Sequence, residues 1–441
     1  MSFWTSAAVW IMLTMAPFLS YVMAPTPSPV RGVYRQPGRT HPFKYIFFWI
    51  LVTIQKLKDK LGMKKEDEAS GYGAKSTNKL EVLDGVHELP KEFPESVDAV
   101  YFVGVNQEGF GILCSAARRH NGLVQSAFEL IVPGVGVLLH PKLPDTSIKV
   151  DPKNEKGQWC VDGLEITPVE VGRRWRLKKS GPMRLLPENF QGVPDVKTDT
   201  KMVNVDFEAT WDATSRIFDT DTDIHIHSIS DSVAREDWSR EMFETLKKQH
   251  QTHLEQFGEV KAKVTIEGHG TFNPRIQVLR DHTFGKFRDW NEFHRYSIFY
   301  LFCEDGSGLN LTNLSRPVTM SRLAFGYRVY PDGSIKPVPR TDFELFKHDE
   351  EGHAKPGLTF QAKGGGKLPL LWPEVYDVTI DKVFAAPSFY IGNDRDAKIT
   401  DCFVRGTING RPCWGINEWM QGYHGEGSTR SELYQRAEKE D

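Results

Sequence analysis

From Val97 onward the chain is a succession of short runs rich in Val, Ile, Leu and Phe, each closed by a turn signal, which restricts it to an antiparallel β architecture. The first runs are 97–105, 109–117, 124–132 and 135–139, separated by Asn-Gln-Glu-Gly, Arg-His-Asn-Gly and Pro-Gly turns. The same texture returns at 164–171, 173–178 and 203–211. It resumes at 260–267 and continues through 296–303, 318–330, 342–346, 358–362, 375–383, 402–408 and 411–418. Many short, closely spaced strands imply meanders or barrels. One stretch breaks the pattern. Ser232 to Phe257 holds no Gly or Pro, and Trp238, Met242, Leu246 and Leu254 recur near helical spacing before Gly258, so a single long connecting helix is expected over 232–257.

At 441 residues the chain exceeds what one hydrophobic core usually supports, so two folded domains are expected. Lys+Arg total 55 against 58 Asp+Glu, a balance without the basic footprint of bulk nucleic-acid binding. The five cysteines (Cys114, Cys160, Cys303, Cys402, Cys413) are odd in number and form no CxxC pair. They suggest neither a disulfide framework nor a Cys-type zinc site and fit a reducing compartment.

The uncharged run Phe3 to Ala24 matches the ~20 residues that cross a bilayer as a helix, so a membrane anchor over 1–25 is expected. A cleaved signal peptide ending at Val22-Met23-Ala24 is the rival reading. For an anchor, Arg31, Arg35, Arg39 and Lys44 follow the span and place the body on the cytoplasmic side. The sequons at Asn310 and Asn313 would matter in the alternative, lumenal or secreted, orientation. Tyr45 to Ile54 is apolar but too short to span. Lys56, Lys58, Lys60, Lys64 and Lys65 follow, which suits a helix on an anionic membrane face or, alternatively, a short buried helix. Lys64 to Lys79 reads as a linker.

The densest polar cluster is Arg280-Asp281-His282-Thr283-Phe284-Gly285-Lys286-Phe287-Arg288-Asp289-Trp290. An Asp beside a His can orient the imidazole, and Arg288 can bind a carboxylate or phenolate, which suffices for general acid–base work without a cofactor. A hydrogen-bonded ion-pair network bracing a bulged strand is the alternative. Glu418, near Trp414 and Trp419, is a proton-donor candidate if aromatic surroundings raise its pKa, or else an ion-pair partner of an Arg. His225 and His227 could begin a metal site with Asp219, Asp221 and Asp223, but no further ligand has recognisable spacing, and no metal is expected. His250 and His253 lack the Glu of a zinc-protease helix and read as solvent-facing on the expected helix.

The motif Arg280-Asp281-His282-x-Phe284-Gly285 followed by Arg288-Asp289-Trp290 resembles the R-D-H-[ST]-[WF]-G-x-R-D-W signature of the AttH-like proteins. That family is grouped with carotenoid 1,2-hydratases and resembles fungal Diels-Alderases and tocopherol cyclases in fold. The similarity extends to Leu254-Glu255-Gln256-Phe257-Gly258 and to Trp414-Gly415-Ile416-Asn417-Glu418, covering roughly residues 90 to 425. One departure is the extra Phe287, which puts the register of Arg288 and Asp289 in question. The first half, including Val97-Asp98-Ala99-Val100-Tyr101-Phe102, also resembles the N-terminal region of animal phosphoenolpyruvate-synthase-like proteins. Their phosphotransfer domains have no counterpart here, and Gly364-Gly365-Gly366-Lys367 does not complete a phosphate loop.

The resemblance implies a mainly β protein with two lipocalin-like antiparallel β-barrels, here joined by one long helix and preceded by an N-terminal hydrophobic helix. The expected units are an anchor or signal peptide (1–25), a basic juxtamembrane segment and linker (26–79), a first barrel with its connecting helix (80–257), a second barrel (258–430) and a polar tail (431–441). The implied function is binding of a hydrophobic small molecule such as a terpenoid, sterol or polyene lipid, with cofactor-free hydration, cyclisation or isomerisation as the enzymatic version. Asp281, His282 and Glu418 would be the catalytic groups, and Arg280, Arg288, Asp289, Trp290 and Trp414 the ligand-binding ones. A non-catalytic carrier and a partner module of a separate enzyme are the alternatives.

Overall fold

The computed structural model describes residues 26–61, 80–150, 159–199, 201–348, 353–392 and 395–422. Of the thirteen strands in the first sheet, eight form the barrel wall: β1 (Val97–Val105), β2 (Gly111–Arg118), β3 (Leu123–Val132), β4 (Gly136–Leu139), β5 (Arg174–Leu186), β6 (Met202–Ala213), β7 (Thr252–Ile266) and β8 (Arg275–Gly285). They are antiparallel neighbours in the order β6-β7-β8-β1-β2-β3-β4-β5, and β5 pairs back onto β6, so the sheet closes into an eight-stranded barrel. Along β6 buried and exposed residues alternate, which sends Val203, Val205, Phe207, Ala209 and Trp211 inward. The interior is filled by aromatic side chains. Phe102 meets Trp175 and Trp211 edge-on at 5.6 and 5.8 Å, and all three are fully buried.

The second unit is an open sheet of nine strands: β9 (Arg295–Cys303), β10 (Gly308–Arg316), β11 (Met320–Val329), β12 (Ile335–Pro337), β13 (Arg340–Thr341), β14 (Leu358–Gly364), β15 (Glu374–Ile391), β16 (Ala397–Ile408) and β17 (Arg411–Gly422). Their order is β12-β11-β10-β9-β17-β16-β15-β14-β13, and the sheet curls into a half-barrel. Its core packs Phe299, Phe360, Val378, Val404 and Trp419 around Tyr34, which is only 1% exposed. The stretch 26–40 is therefore more than a linker. Tyr34 anchors it in the second core, and Arg35 pairs with Asp237 at 2.7 Å instead of facing lipid.

Among the described residues three helices longer than one turn lie beside the sheets: α1 (His41–Lys60), α2 (Ile226–Arg235) and α3 (Arg240–Lys248). The long helix expected over 232–257 does not form. Glu236 caps α2, Ser239 starts α3 by accepting a hydrogen bond from the Met242 backbone N–H at 3.0 Å, and from Thr252 the chain is strand β7. The domain boundary expected at 257/258 falls inside β7, because β7 and β8 are needed to close the first barrel. No helix among the described residues is long and apolar enough to cross a membrane. The expected anchor (1–25), most of the linker and the polar tail lie outside the described residues.

Candidate functional site

A hollow of about 250 Å³ lies between the outer wall of the closed barrel and the facing side of the half-barrel. Room for it comes from small residues. On β1 and β2, Phe102, Cys114 and Ala116 point into the barrel, while Ala99, Ser115 and Ala117 point out of it, with Ala99 opposite Ala117 across the pair. The other wall is apolar, with Leu314, Met320, Leu323, Phe325, Phe389 and Ile399 from β10, β11, β15 and β16.

Polar groups converge on the barrel side. His253 and Glu255 of β7 sit opposite Thr283 and Asp281 of β8, all on the outward face. His253 Nε2 is 2.8 Å from Glu255 Oε1, and its Nδ1 is 2.6 Å from Thr283 Oγ1 and 3.4 Å from Asp281 Oδ1. Thr283 donates its hydroxyl proton to Asp281 at 2.6 Å. Burial alone would lower the imidazole pKa, but the charges of Asp281 and Glu255 and the hydrogen bond to Glu255 outweigh it and raise it to about 9. The ring keeps a quarter of its side-chain surface accessible, and it borders the hollow. Glu255 is held further by the hydroxyls of Tyr327 (2.7 Å) and Tyr300 (3.3 Å). Arg288 grips Gln251 Oε1 through Nε and Nη2 at 3.0 and 2.7 Å. Burial lowers its pKa to about 10, against the opposing pull of Asp281.

Across the hollow, Glu418 of β17 accepts a hydrogen bond from the Tyr296 hydroxyl at 2.5 Å, and burial raises its pKa. Its cross-strand partner Asp401 accepts from Tyr101 of the barrel at 3.0 Å, and burial together with the charge of Glu418 pushes the Asp401 carboxyl well above the usual carboxylate range. A carboxyl whose pKa burial raises, Glu418, thus borders the hollow from the half-barrel and a histidine–carboxylate group borders it from the barrel.

Of the residues singled out from sequence, Asp281, Arg288, Trp290 and Glu418 border this hollow. Arg280 and His282 do not, because neighbours on a strand face opposite ways. Both point into the barrel and are fully buried. His282 Nε2 lies 3.0 Å from Asp98 Oδ1 and its Nδ1 3.3 Å from Asp84 Oδ1. Arg280 bonds Asp84 and Gln256 and stacks over Trp175 and Trp211. The expected Asp281–His282 dyad therefore does not exist as a unit, and that imidazole belongs to a buried ion-pair plug. Asp289 caps a short helical turn, accepting from the Asn291 backbone at 2.9 Å. Trp414 donates to Gln277 of β8 at 2.9 Å, on the seam between the units but outside the hollow. The extra Phe287 is absorbed in the loop, where its carbonyl accepts from Gln251 and its ring carries Lys248. Arg288 still reaches the hollow. His253 was missed because the expected helix put it in solvent. The only sequence signal for it was its spacing of two from Glu255.

Among the described residues no group of His, Cys, Asp and Glu is arranged to hold a metal ion. His225 caps α2 by accepting from the His227 N–H, and His227 bonds the Tyr45 hydroxyl at 2.9 Å.

A family model described as a family of unknown function (DUF8627) matches residues 12–391. No curated protein matches the sequence. Among solved structures, an AttH-like protein (NE1406) from Nitrosomonas europaea aligns at 11% identity and a TM-score of 0.46, over 77% of this chain and 98% of that one. Kievitone hydratase from Nectria haematococca aligns at 11% identity and a TM-score of 0.43, over 80% and 97%. CghA aligns at 9% identity and a TM-score of 0.38, over 76% and 90%. The likeness of the first half to phosphoenolpyruvate-synthase-like proteins gains no support.

Proposed function

Because the chain belongs to DUF8627, a family of unknown function, its activity has to be read from its own cavity, and we propose that it binds a compact hydrophobic small molecule between barrel and half-barrel and transforms it by acid–base chemistry. The observation that carries this reading is an apolar hollow bordered by the buried carboxyl of Glu418 from the half-barrel and by His253 with its partners Glu255 and Asp281 from the barrel. At about 250 Å³ the hollow falls just below the range of roughly 300–1,000 Å³ usual for small-molecule sites, which favours a small terpenoid or phenolic ligand over a sterol or an extended polyene.

Glu418, whose carboxyl pKa burial raises, would deliver a proton to an alkene carbon or a carbonyl oxygen of the ligand. Trp290, beside Arg288 with 5.6 Å between guanidinium and ring, would flank the cationic carbon that results. Asp281 would take a proton either from the adjacent carbon, giving isomerisation or cyclisation, or from an incoming water, giving hydration. Protons lost and gained balance in each case. His253, protonated at neutral pH, would hold Asp281 in place rather than act as the base. A carrier without catalysis is the second reading, favoured by the engagement of both His253 nitrogens with protein partners. Tethering through the uncharged run Phe3 to Ala24, with the body on the cytoplasmic side, belongs to the same proposal and is supported by the sequence alone.

The test is mass spectrometry of organic extracts from natively purified protein, compared with Ala117→Phe, which fills the hollow. A small apolar compound should be present in the first and absent from the second. An equal yield from both would overturn the assignment of the cavity. With the compound in hand, Asp281→Asn and Glu418→Gln should abolish its turnover while retaining it; unchanged conversion leaves the carrier.

A further inference from the structure

Helix α1 is 20 residues long, roughly 30 Å, and apolar on nearly every side. One face is accounted for. Phe48 and Val52 are buried in the core cluster that also holds Ile229 and Val233 of α2, and the Lys44 and Lys56 ammonium groups donate to the carbonyls of Glu236 (2.6 Å) and Thr222 (3.2 Å). The opposite face is not covered. Phe43, Ile46, Ile50, Ile54, Leu57 and Leu61 recur every three or four residues, and each is 45–65% exposed. With Phe47, Trp49 and Leu51 beside them, the stripe presents on the order of 800 Å² of apolar surface, above the roughly 300–600 Å² of the largest patch on an ordinary monomer.

We propose that this stripe is a membrane-docking face, with α1 lying in the plane of a lipid bilayer and buried to about the depth of its exposed side chains. Three features favour lipid over a protein occupant. The described residues begin at Thr26, so the uncharged run Phe3 to Ala24 joins α1 through only the short arm anchored by Tyr34. A bilayer engaged by that run has to pass close to the helix. The stripe itself carries no charge, since Lys44 turns to the Glu236 carbonyl on the covered side, and the helix ends on the exposed Lys58, where an anionic headgroup would sit. Trp49 is of the type enriched at that interface. Behind α1, the segment leading into α2 supplies Ile224 to the hollow, so the docked face backs directly on the cavity wall. The docking does not depend on the identity of the cavity's ligand.

The test uses the full chain in vesicles of phosphatidylcholine with 30% phosphatidylserine, a composition set by the experimenter to be roughly as anionic as a cytoplasmic leaflet. An environment-sensitive fluorophore is attached at Ile50→Cys or Ile54→Cys in a Cys160→Ser background, the other four thiols being buried. Lys263→Cys, at an exposed position of β7 on the closed barrel, serves as the comparison. At Ile50 and Ile54, spin-labelled lipid should quench the fluorophore several-fold more than aqueous iodide does, and the emission should shift to the blue; at Lys263 lipid quenching should be weak. Quenching by iodide alone would mean that the stripe faces water and would overturn the proposal. Protection from both quenchers would overturn it too, because the occupant is then protein, either the N-terminal run folded back or a second copy. Ile50→Glu/Ile54→Glu, at exposed positions that leave the fold intact, should reduce lipid quenching at a label on Leu57→Cys to the Lys263 level.

Discussion

Replacing His282 by alanine should cost the first barrel about 3–5 kcal/mol, the range for breaking one partner out of a buried ion-pair network. The ring has no exposed surface and joins two carboxylates, Asp98 at 3.0 Å and Asp84 at 3.3 Å. Its loss removes two charge-assisted bonds, each of about 1.5–3 kcal/mol, and leaves a void beside Trp159, whose ring centroid lies 5.3 Å away. The damage is bounded, because Asp98 keeps Arg118 at 2.8 Å and Asp84 keeps Arg280 and the Gly172 N–H. For a unit of this size each kcal/mol lowers Tm by about 2–4 °C, so a fall of roughly 6–20 °C is expected in calorimetry. Ligand retention measured well below the new Tm should be unchanged, since the ring points away from the hollow. A variant that melts like the parent but loses turnover would refute the placement of His282 as a brace.

Further outcomes follow from the same geometry. Burial tends to lower the His253 pKa, but its carboxylate partners raise it from 6.5 to about 9; the stability it contributes is complete below pH 6.5 and lost as pH rises through about 9. The stability difference between the parent and His253→Asn in urea titrations should therefore shrink across that window, and a difference that grows with pH would contradict the sign. Asp84 behaves oppositely. Burial would raise its pKa, but Arg280 and His282 hold it below 3.8, so its contribution is present above that value and fades as pH falls, visible as an Asp84→Asn difference that closes in acid. Gly104→Ala would put a methyl 1.9 Å from the Gln277 carbonyl oxygen, which requires β1 and β8 to separate; loss of the cooperative thermal transition is expected by circular dichroism. Tyr34→Ala should cost the half-barrel about 3–5 kcal/mol in denaturant titration, as for other large-to-small aromatic changes, and a neutral result would mean the 26–40 arm is not docked.

The β character of the chain was legible because most strands have one buried face, and alternation of that kind can be read residue by residue. Strand β7 was not, because its first half is buried on both sides, by the barrel core and by the half-barrel. Thr252 to Gly258 therefore shows almost no period of two, and Leu254 fell by coincidence on the spacing set by Trp238, Met242 and Leu246. That one misassignment hid His253 and moved the domain boundary. The motif around Asp281 lies beside the hollow, which Arg288, Trp290 and Glu418 also border. What sequence order could not give was facing. Asp281 and His282 look like partners on paper, yet the partners of His282 lie 198 and 184 residues away and only the closed barrel brings them together.

The stoppered barrel has a consequence for how the protein can change over time. With the interior of the first unit committed to Arg280, His282 and three tryptophans, the one hollow described here is bounded half by each unit. Neither half alone would enclose the proposed binding site. A substitution on β2 and another on β16, nearly three hundred positions apart, would retune the same contact with the same guest. Such a guest, once seated, would rivet the two sheets together, so occupancy should register first as resistance of the seam to parting.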